Sequence, residues 1–353
     1  MTEPLLRPDE VDPWLDRIRQ PVVLTGATGF VGSHLVDTLC AAGVTPRVLL
    51  RDPERPRWIS DRPVEAVPGN LSDPVALRSL VQGARTVIHL AGVVRADRVD
   101  AFDRGNRAGT AALVEALAGA TDVRLVHVSS LAAAGPSPDP VGIGPEAPPR
   151  PVSAYGRSKL AGERELPRLP EGVSWTVLRP PAIYGPRDTD VFEFFRMADR
   201  GLLVVPRGQR WLTVAWVGDV VRWIVAAAAG EDGDRTVRHL GEPEPYRLDV
   251  LLDELCAAGG VRARRLSVPE TVVAAAGGAS ELLRRMGVAG AALTRDKARE
   301  LVARHWVART RDSLQALVGD DRARPFRDGA EETWRWYRGE GWLRYPDSSR
   351  EGR

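Results

Sequence analysis

The chain has 353 residues, 43% of them hydrophobic and 27% charged, with 49 basic against 47 acidic side chains and a net charge of +2. That length calls for a large domain with a second, smaller lobe, and the near balance of charge excludes a field that would gather nucleic acid or anionic membrane non-specifically. The two cysteines, Cys40 and Cys256, lie in apolar helical patterns that suit small buried thiols rather than a disulfide framework, and with the histidines they offer no metal-ligand spacing.

Residues 1–20 lack the basic start and apolar run of a signal peptide and read as an extension that packs Trp14 and Leu15 onto the surface. The stretch PVVLTGATGFVGSH follows, an apolar β-branched strand at 22–25 that breaks at Gly26 and turns helical past Gly29 and Gly32. The first glycine allows the sharp turn, the second lets a pyrophosphate approach the backbone, and the third lets helix and strand pack closely. The open N–H groups of the helix then face the phosphates. Further strands are expected at 46–50, 64–67, 86–90, 123–129 and 173–178, with helices between them ending near 42 and 81 and spanning 100–118. The Pro/Gly-rich segment 135–151 is irregular, and a helix starts near 154.

Strands alternating with helices at this spacing give an α/β fold, a Rossmann-type doubly wound parallel sheet. Past residue 186 helical patterns predominate, at 191–200, 248–258, 270–285 and 294–304, and form a smaller, mainly helical C-terminal substrate lobe. One strand pattern at 211–217 and one helix at 220–229 return to the first lobe, so the dinucleotide-binding domain is 21–186 plus 211–240 and the substrate lobe 187–210 plus 241–345, with a tail at 346–353. The apolar run 220–230 carries Arg222 and is far shorter than a bilayer span, so a cytoplasmic protein without membrane insertion is expected. The arginines at 262, 264 and 265 and at 284 and 285 read as solvated faces.

The chemistry concentrates in Ser130, Tyr155 and Lys159. Tyr155 and Lys159 are four apart in YGRSK and share a helix face, and Ser130 lies just past the end of a parallel strand, where ligands bind in such sheets. A neighbouring ammonium and a cationic nicotinamide are expected to lower the tyrosine pKa toward neutrality, while the serine hydroxyl holds a substrate oxygen. Only two lysines, Lys159 and Lys297, occur among the 49 basic residues, so a Lys in this slot points to a need for the compact ammonium.

The motifs TGATGFVG, HLAG at 89–92, VSS at 128–130, YGRSK and LRPPAIYGP at 178–186 occur in order, and with them the chain resembles the extended short-chain dehydrogenase/reductase superfamily over about residues 21–240. The resemblance implies that Gly26, Gly29, Phe30, Val31 and Gly32 hold the pyrophosphate and that Leu90, Ala91 and Gly92 line the ribose and nicotinamide path. It further implies that Asn70 and Leu71 meet the adenine, that Pro180 to Ile183 wall the nicotinamide, and that Tyr155 and Lys159 touch the cofactor. Asn106 matches a polar position near the cofactor and reads equally as a satisfied amide on a helix surface. Arg51, directly after the second strand, favours NADP through a 2′-phosphate. Asp52 beside it keeps NAD as the alternative.

The expected function is an NAD(P)-dependent oxidoreductase that moves a hydride between nicotinamide and a carbonyl or hydroxyl of a mainly apolar small molecule, resembling dihydroflavonol reductases and 3β-hydroxysteroid dehydrogenases. A nucleotide-sugar epimerase is the alternative, and a non-catalytic dinucleotide-binding protein the third reading. Leu131 and Ala132 stand where sugar dehydratases of the superfamily carry an acidic pair, and Ala182 where many sugar-nucleotide enzymes place Asn. Arg187 is read as a ligand for substrate anions or exposed carboxylates, Trp216 as buried core, and Trp334, Trp336, Tyr337 and Trp342 as packing anchors. The small-molecule substrate is the expected partner, with no nucleic acid, and the superfamily implies a possible homodimer.

Overall fold

A computed structural model describes residues 5–6, 10–96, 98–230, 235–285, 295–319 and 323–344. Its strands are β1 (Val22–Thr25), β2 (Arg47–Leu50), β3 (Glu65–Pro68), β4 (Thr86–His89), β5 (Val123–Val128), β6 (Val173–Arg179), β7 (Ala182–Tyr184), β8 (Leu202–Pro206), β9 (Trp211–Leu212), β10 (Val214–Trp216), β11 (Arg235–His239), β12 (Tyr246–Arg247), β13 (Arg264–Val268) and β14 (His305–Trp306). Seven of them form one parallel sheet in the order β11-β6-β5-β4-β1-β2-β3. Every residue of β1, β4, β5 and β6 is buried, as expected where helices cover both faces of a parallel sheet.

Strand order reverses between β1 and β4, because the chain winds outward through β2 and β3 and then crosses back to β4. The crevice past the carboxyl ends of β1 and β4 is the position where ligands bind in such sheets. The glycine turn and the HLAG segment both open onto it.

Three expectations are corrected. The helix foreseen at 100–118 is Val99–Phe102, a π-turn at Asp103–Ala108, and Gly109–Ala116; widening the turn draws the Asn106 side chain inward. The strand pattern at 211–217 divides at Thr213, whose N–H and Oγ1 bond Trp306 O and Ala308 N. As a result β9 pairs with β12 and β14, while β10 pairs with β7 beside the main sheet. Cys40 and Cys256 are free, as expected, but half-buried rather than buried.

The N-terminal extension does more than cover the surface, since Val11, Leu15 and Ile18 enter the core against the Val217–Ala228 helix. The Phe326–Gly339 helix brings the terminal aromatics inward as expected. Tyr337 stacks on Trp342, meets Phe192 and Phe195 edge-on, and donates its hydroxyl to Gly185 O and Asp188 O. Trp216 is core, with the Arg324 guanidinium over its ring at 3.8 Å.

Candidate active site

Gly26 has φ +79° directly after β1, and a Cβ there would lie 2.6 Å from Ala91 N, so only glycine lets the loops after β1 and β4 meet. A Cβ on Gly32 would lie 2.1 Å from Gly26 O, which is the helix-on-turn contact expected of the third glycine. At Gly29 the only neighbour is Gly26 O at 3.2 Å, so the space in front of that backbone is open. Gly29 is the N-cap of the Phe30–Ala41 helix, and no side chain caps it. The first-turn N–H groups of Phe30, Val31 and Gly32 therefore present an uncapped, positive helix end, the cradle a pyrophosphate fits.

The HLAG segment is held by a buried relay. Thr25 Oγ1 contacts His89 Nδ1 at 2.6 Å and accepts from Ala91 N at 3.3 Å, and His89 Nε2 contacts Thr110 Oγ1 at 3.1 Å. Burial, helped by the Lys159 charge, pushes the His89 pKa down to about 3, so the imidazole is neutral. Leu90 N bonds Thr25 O at 3.1 Å, and a Cβ on Gly92 would lie 3.5 Å from Lys159 Nζ, which brings the crevice floor against the lysine.

Ser130, Tyr155 and Lys159 are brought together. The Ala154–Glu163 helix starts at Ser153, whose Oγ accepts from Gly156 N at 2.9 Å, and Tyr155 hydrogen-bonds with the Ser130 side chain. Ser130 Oγ also accepts from Ala132 N at 3.1 Å as the N-cap of the Leu131–Ala134 turn. Gly156 permits this closeness, since a Cβ there would lie 2.2 Å from Ala132 O. Lys159 is buried, donates to Val128 O at 2.8 Å, and has its pKa lowered to about 8, chiefly by burial.

The expectation of an acidified tyrosine is reversed in the protein alone. Burial is the largest influence and raises the Tyr155 pKa to about 12, against a smaller opposing effect of the Ser130 hydrogen bond. The Lys159 ammonium gives one of its three N–H donors to the Val128 carbonyl. Tyr155 Oη therefore carries its proton throughout the neutral range.

Four further residues, Glu163, Arg179, Ser129 and Asp296, fix the catalytic helix, and the sequence patterns did not single them out. Glu163 continues the Tyr155–Lys159 face by another turn, with buried Arg179 at 2.6 and 2.9 Å and the Ser129 hydroxyl on the same carboxylate. Its i,i+4 spacing from Lys159 was a readable signal. Arg179 ends β6 and Ser129 follows β5, so this carboxylate clamps the helix to two strand ends. Asp296, from the second lobe, accepts from Ala154 N at 2.6 Å and Tyr155 N at 3.2 Å. Nothing local in the sequence signals a cap that arrives from more than a hundred residues away.

Asn106 is neither a surface amide nor open toward the crevice. It is buried, accepts from Val93 N at 2.7 Å, and donates to Val93 O at 3.0 Å and to Ser158 Oγ at 2.8 Å. It ties the π-turn to both the HLAG loop and the catalytic helix. Asn70 is exposed, with Oδ1 accepting from Ser72 N and Oγ at 2.8 and 2.5 Å, which leaves its NH2 donors as the free end; Leu71 packs beside Gly109.

Arg51 is exposed immediately after β2 and has no ion-pair partner among the described residues. Pro180 is buried and accepts from Leu131 N at 2.8 Å, while Ile183 is half-buried in β7. Arg187 departs from expectation. It is buried at φ +69°, ion-paired with Asp37 at 2.8 Å and stacked on Trp58 at 5.1 Å, and so anchors the turn after β7 rather than meeting solvent or substrate.

A glycine-turn Rossmann crevice containing a serine, a tyrosine and a lysine on converging elements defines the extended short-chain dehydrogenase/reductase class. Residues 22–240 match the NAD dependent epimerase/dehydratase family, and the chain belongs to it. It is 34% identical to the ceramide reductase of Caulobacter vibrioides, over 92% of this chain and 96% of that one. It is 30% identical to sterol demethylase protein B of Methylococcus capsulatus, over 70% of this chain and 77% of that one. Among solved structures, MoeE5 in complex with UDP-glucose and NAD shares the fold at a TM-score of 0.72 and 23% identity, over 91% of this chain and 99% of that one. The chain is an NAD(P)-dependent oxidoreductase of this class.

Proposed function

We propose that the protein reduces the carbonyl of a long-chain, lipid-like molecule with NADPH. The observation that carries this reading is the protonated, half-buried Tyr155 beside Ser130, in a site whose neighbouring positions Leu131 and Ala132 are buried and apolar. A nicotinamide held in the crevice would supply the hydride that adds to the carbonyl carbon. Ser130 Oγ donates a hydrogen bond to the carbonyl oxygen, and Tyr155 Oη delivers the proton that completes the alcohol. Lys159 fixes positive charge near the phenolate left behind and holds the ribose. An acid–base pair for water loss has no counterpart beside Ser130, which sets dehydration aside. The ceramide reductase likeness across nearly the whole of both chains supports a lipid-like substrate.

Gly26, Gly29 and the N–H groups of Phe30, Val31 and Gly32 bind the pyrophosphate in this reading. Asn70 and Leu71 take the adenine side, and Leu90 to Gly92 with Pro180 and Ile183 enclose the nicotinamide. Arg51 supports NADP, because a free guanidinium at the end of β2 is placed for a 2′-phosphate. Titration with NADPH and NADH, read by tryptophan fluorescence, tests the cofactor. NADPH should bind at least about tenfold more tightly, and Arg51→Ala should remove that preference; tighter NADH binding in the wild type contradicts it. Turnover of long-chain ketones but not of UDP-sugars is the expected substrate profile.

A further inference from the structure

The second lobe carries an apolar surface that the reaction does not use. In the parallel β8–β13 ribbon, Leu203 and Val205 are buried in the core, while the opposite face exposes Leu202, Val204 and Leu266 at 45, 40 and 51%. Register sets Val204 directly beside Leu266 and Leu202 beside Arg264. The helix Glu270–Arg285 begins two residues after β13 and exposes Val272 at 50% together with Ala274, Ala275 and Ala276. Isolated exposed apolar residues are ordinary, but adjacent ones on a ribbon and the element that follows it mark a contact surface.

The charge at the end of this strip identifies the contact. Arg200, Arg262 and Arg264 are exposed there, and none has a hydrogen-bond or ion-pair partner for its side chain among the described residues. Arg264 N bonds Gly201 O at 2.9 Å, which brings the chain just after Arg200 to the same end of the ribbon as Arg262. Guanidinium groups beside exposed aliphatic side chains match phosphate headgroups beside acyl chains. A symmetric contact between two copies of this face would instead bring the same cations toward one another.

We infer that the β8–β13 face, with the Glu270–Arg285 helix beside it, docks the protein onto an anionic lipid bilayer as a peripheral surface contact. The arginines that read in the sequence as a solvated face become headgroup ligands, and the near-neutral net charge confines the attraction to this patch. The Glu270–Arg285 helix packs on Arg295–Val302, whose Asp296 caps the helix that carries Tyr155. The docked surface is thus joined through one helix to the cap of the helix that carries Tyr155.

Vesicle co-sedimentation tests the inference without turnover, so its outcome is independent of the reaction proposed above. The wild type should pellet with vesicles containing phosphatidylglycerol, far less with pure phosphatidylcholine, and less as salt is raised. Arg262→Glu with Arg264→Glu should reduce partitioning roughly tenfold or more, and Leu202→Ser, Val204→Ser and Leu266→Ser together should do the same. Both variants should bind NADPH as the wild type does, because these side chains are exposed and none belongs to the seven-stranded sheet or its glycine turn. The inference is overturned if the wild type remains in the supernatant with both vesicles. It is equally overturned if the variants pellet as well as the wild type, or if the triple serine variant only abolishes a concentration-dependent dimer.

Discussion

The seven-stranded sheet hides its central strands, and the β8–β13 ribbon exposes much of its own. Every side chain of β1, β4, β5 and β6 is buried, whereas β8 alternates between core and solvent and β13 is open along most of its length. Around the main sheet several polar groups that enter the interior find partners there, as with Thr25, His89 and Thr110 or Ser129, Glu163 and Arg179. Asp296, which bonds the backbone of Ala154 and Tyr155, comes from the Arg295–Val302 helix rather than from a strand end. The contrast separates a platform whose buried strand ends set the geometry of the site from a ribbon that leaves an apolar face open.

Breaking the platform should have the largest effect on stability. Glu163→Ala leaves the Arg179 guanidinium buried without its carboxylate, and such a loss costs about 3–5 kcal/mol. Replacing both, Glu163→Met with Arg179→Met, should recover much of that stability. Chemical denaturation of the two variants measures the difference, and equal stability of the single variant and the wild type would remove the clamp from the account.

The seam between the lobes should show itself through pH. Glu242 is buried, accepts from Tyr246 Oη at 2.7 Å and Phe326 N at 3.2 Å, and has its pKa raised to about 8, mainly by burial. Its proton is held more tightly in the folded than in the unfolded state, so its contribution to stability is full below an unfolded pKa near 4.5 and is lost as pH rises through 8. Glu242→Gln, which resembles the protonated acid, should therefore match the wild-type Tm near pH 4 and exceed it increasingly toward pH 8. A Tm difference independent of pH would contradict the assignment.

Much of the platform was legible in the sequence because its signals are local. Glycine spacing, β-branched runs and the four-residue step from Tyr155 to Lys159 each report one turn or one face, and the strands and the catalytic helix lie where those patterns predict. The failures share the opposite property. The π-turn at Asp103–Ala108 follows from where the Asn106 amide finds partners on Val93 and Ser158, and the break at Thr213 follows from bonds to Trp306 and Ala308. Arg187 looked free because its partner, Asp37, lies 150 residues earlier in another element. The rise in the Tyr155 pKa depends on burial, which a one-dimensional pattern of charges does not report.

The smallest expected effect sharpens the comparison most, because it crosses between the lobes. Asp296→Ala removes a cap from the catalytic helix at a cost of about 1 kcal/mol, while loosening the element that carries Tyr155. Turnover should fall about tenfold with NADPH affinity unchanged, and Asp296→Asn, which retains an acceptor, should restore part of it. A change in thermal stability with no change in kcat would reduce Asp296 to a structural cap.

The central claim is that Tyr155 Oη supplies the proton for carbonyl reduction in a crevice that binds NADPH without it. The direct measurement is NADPH oxidation against a long-chain ketone by the wild type and Tyr155→Phe, with NADPH affinity measured on the same preparations. The account predicts equal NADPH affinity and a loss of turnover of about a thousandfold in the variant. Turnover by Tyr155→Phe close to that of the wild type would contradict it.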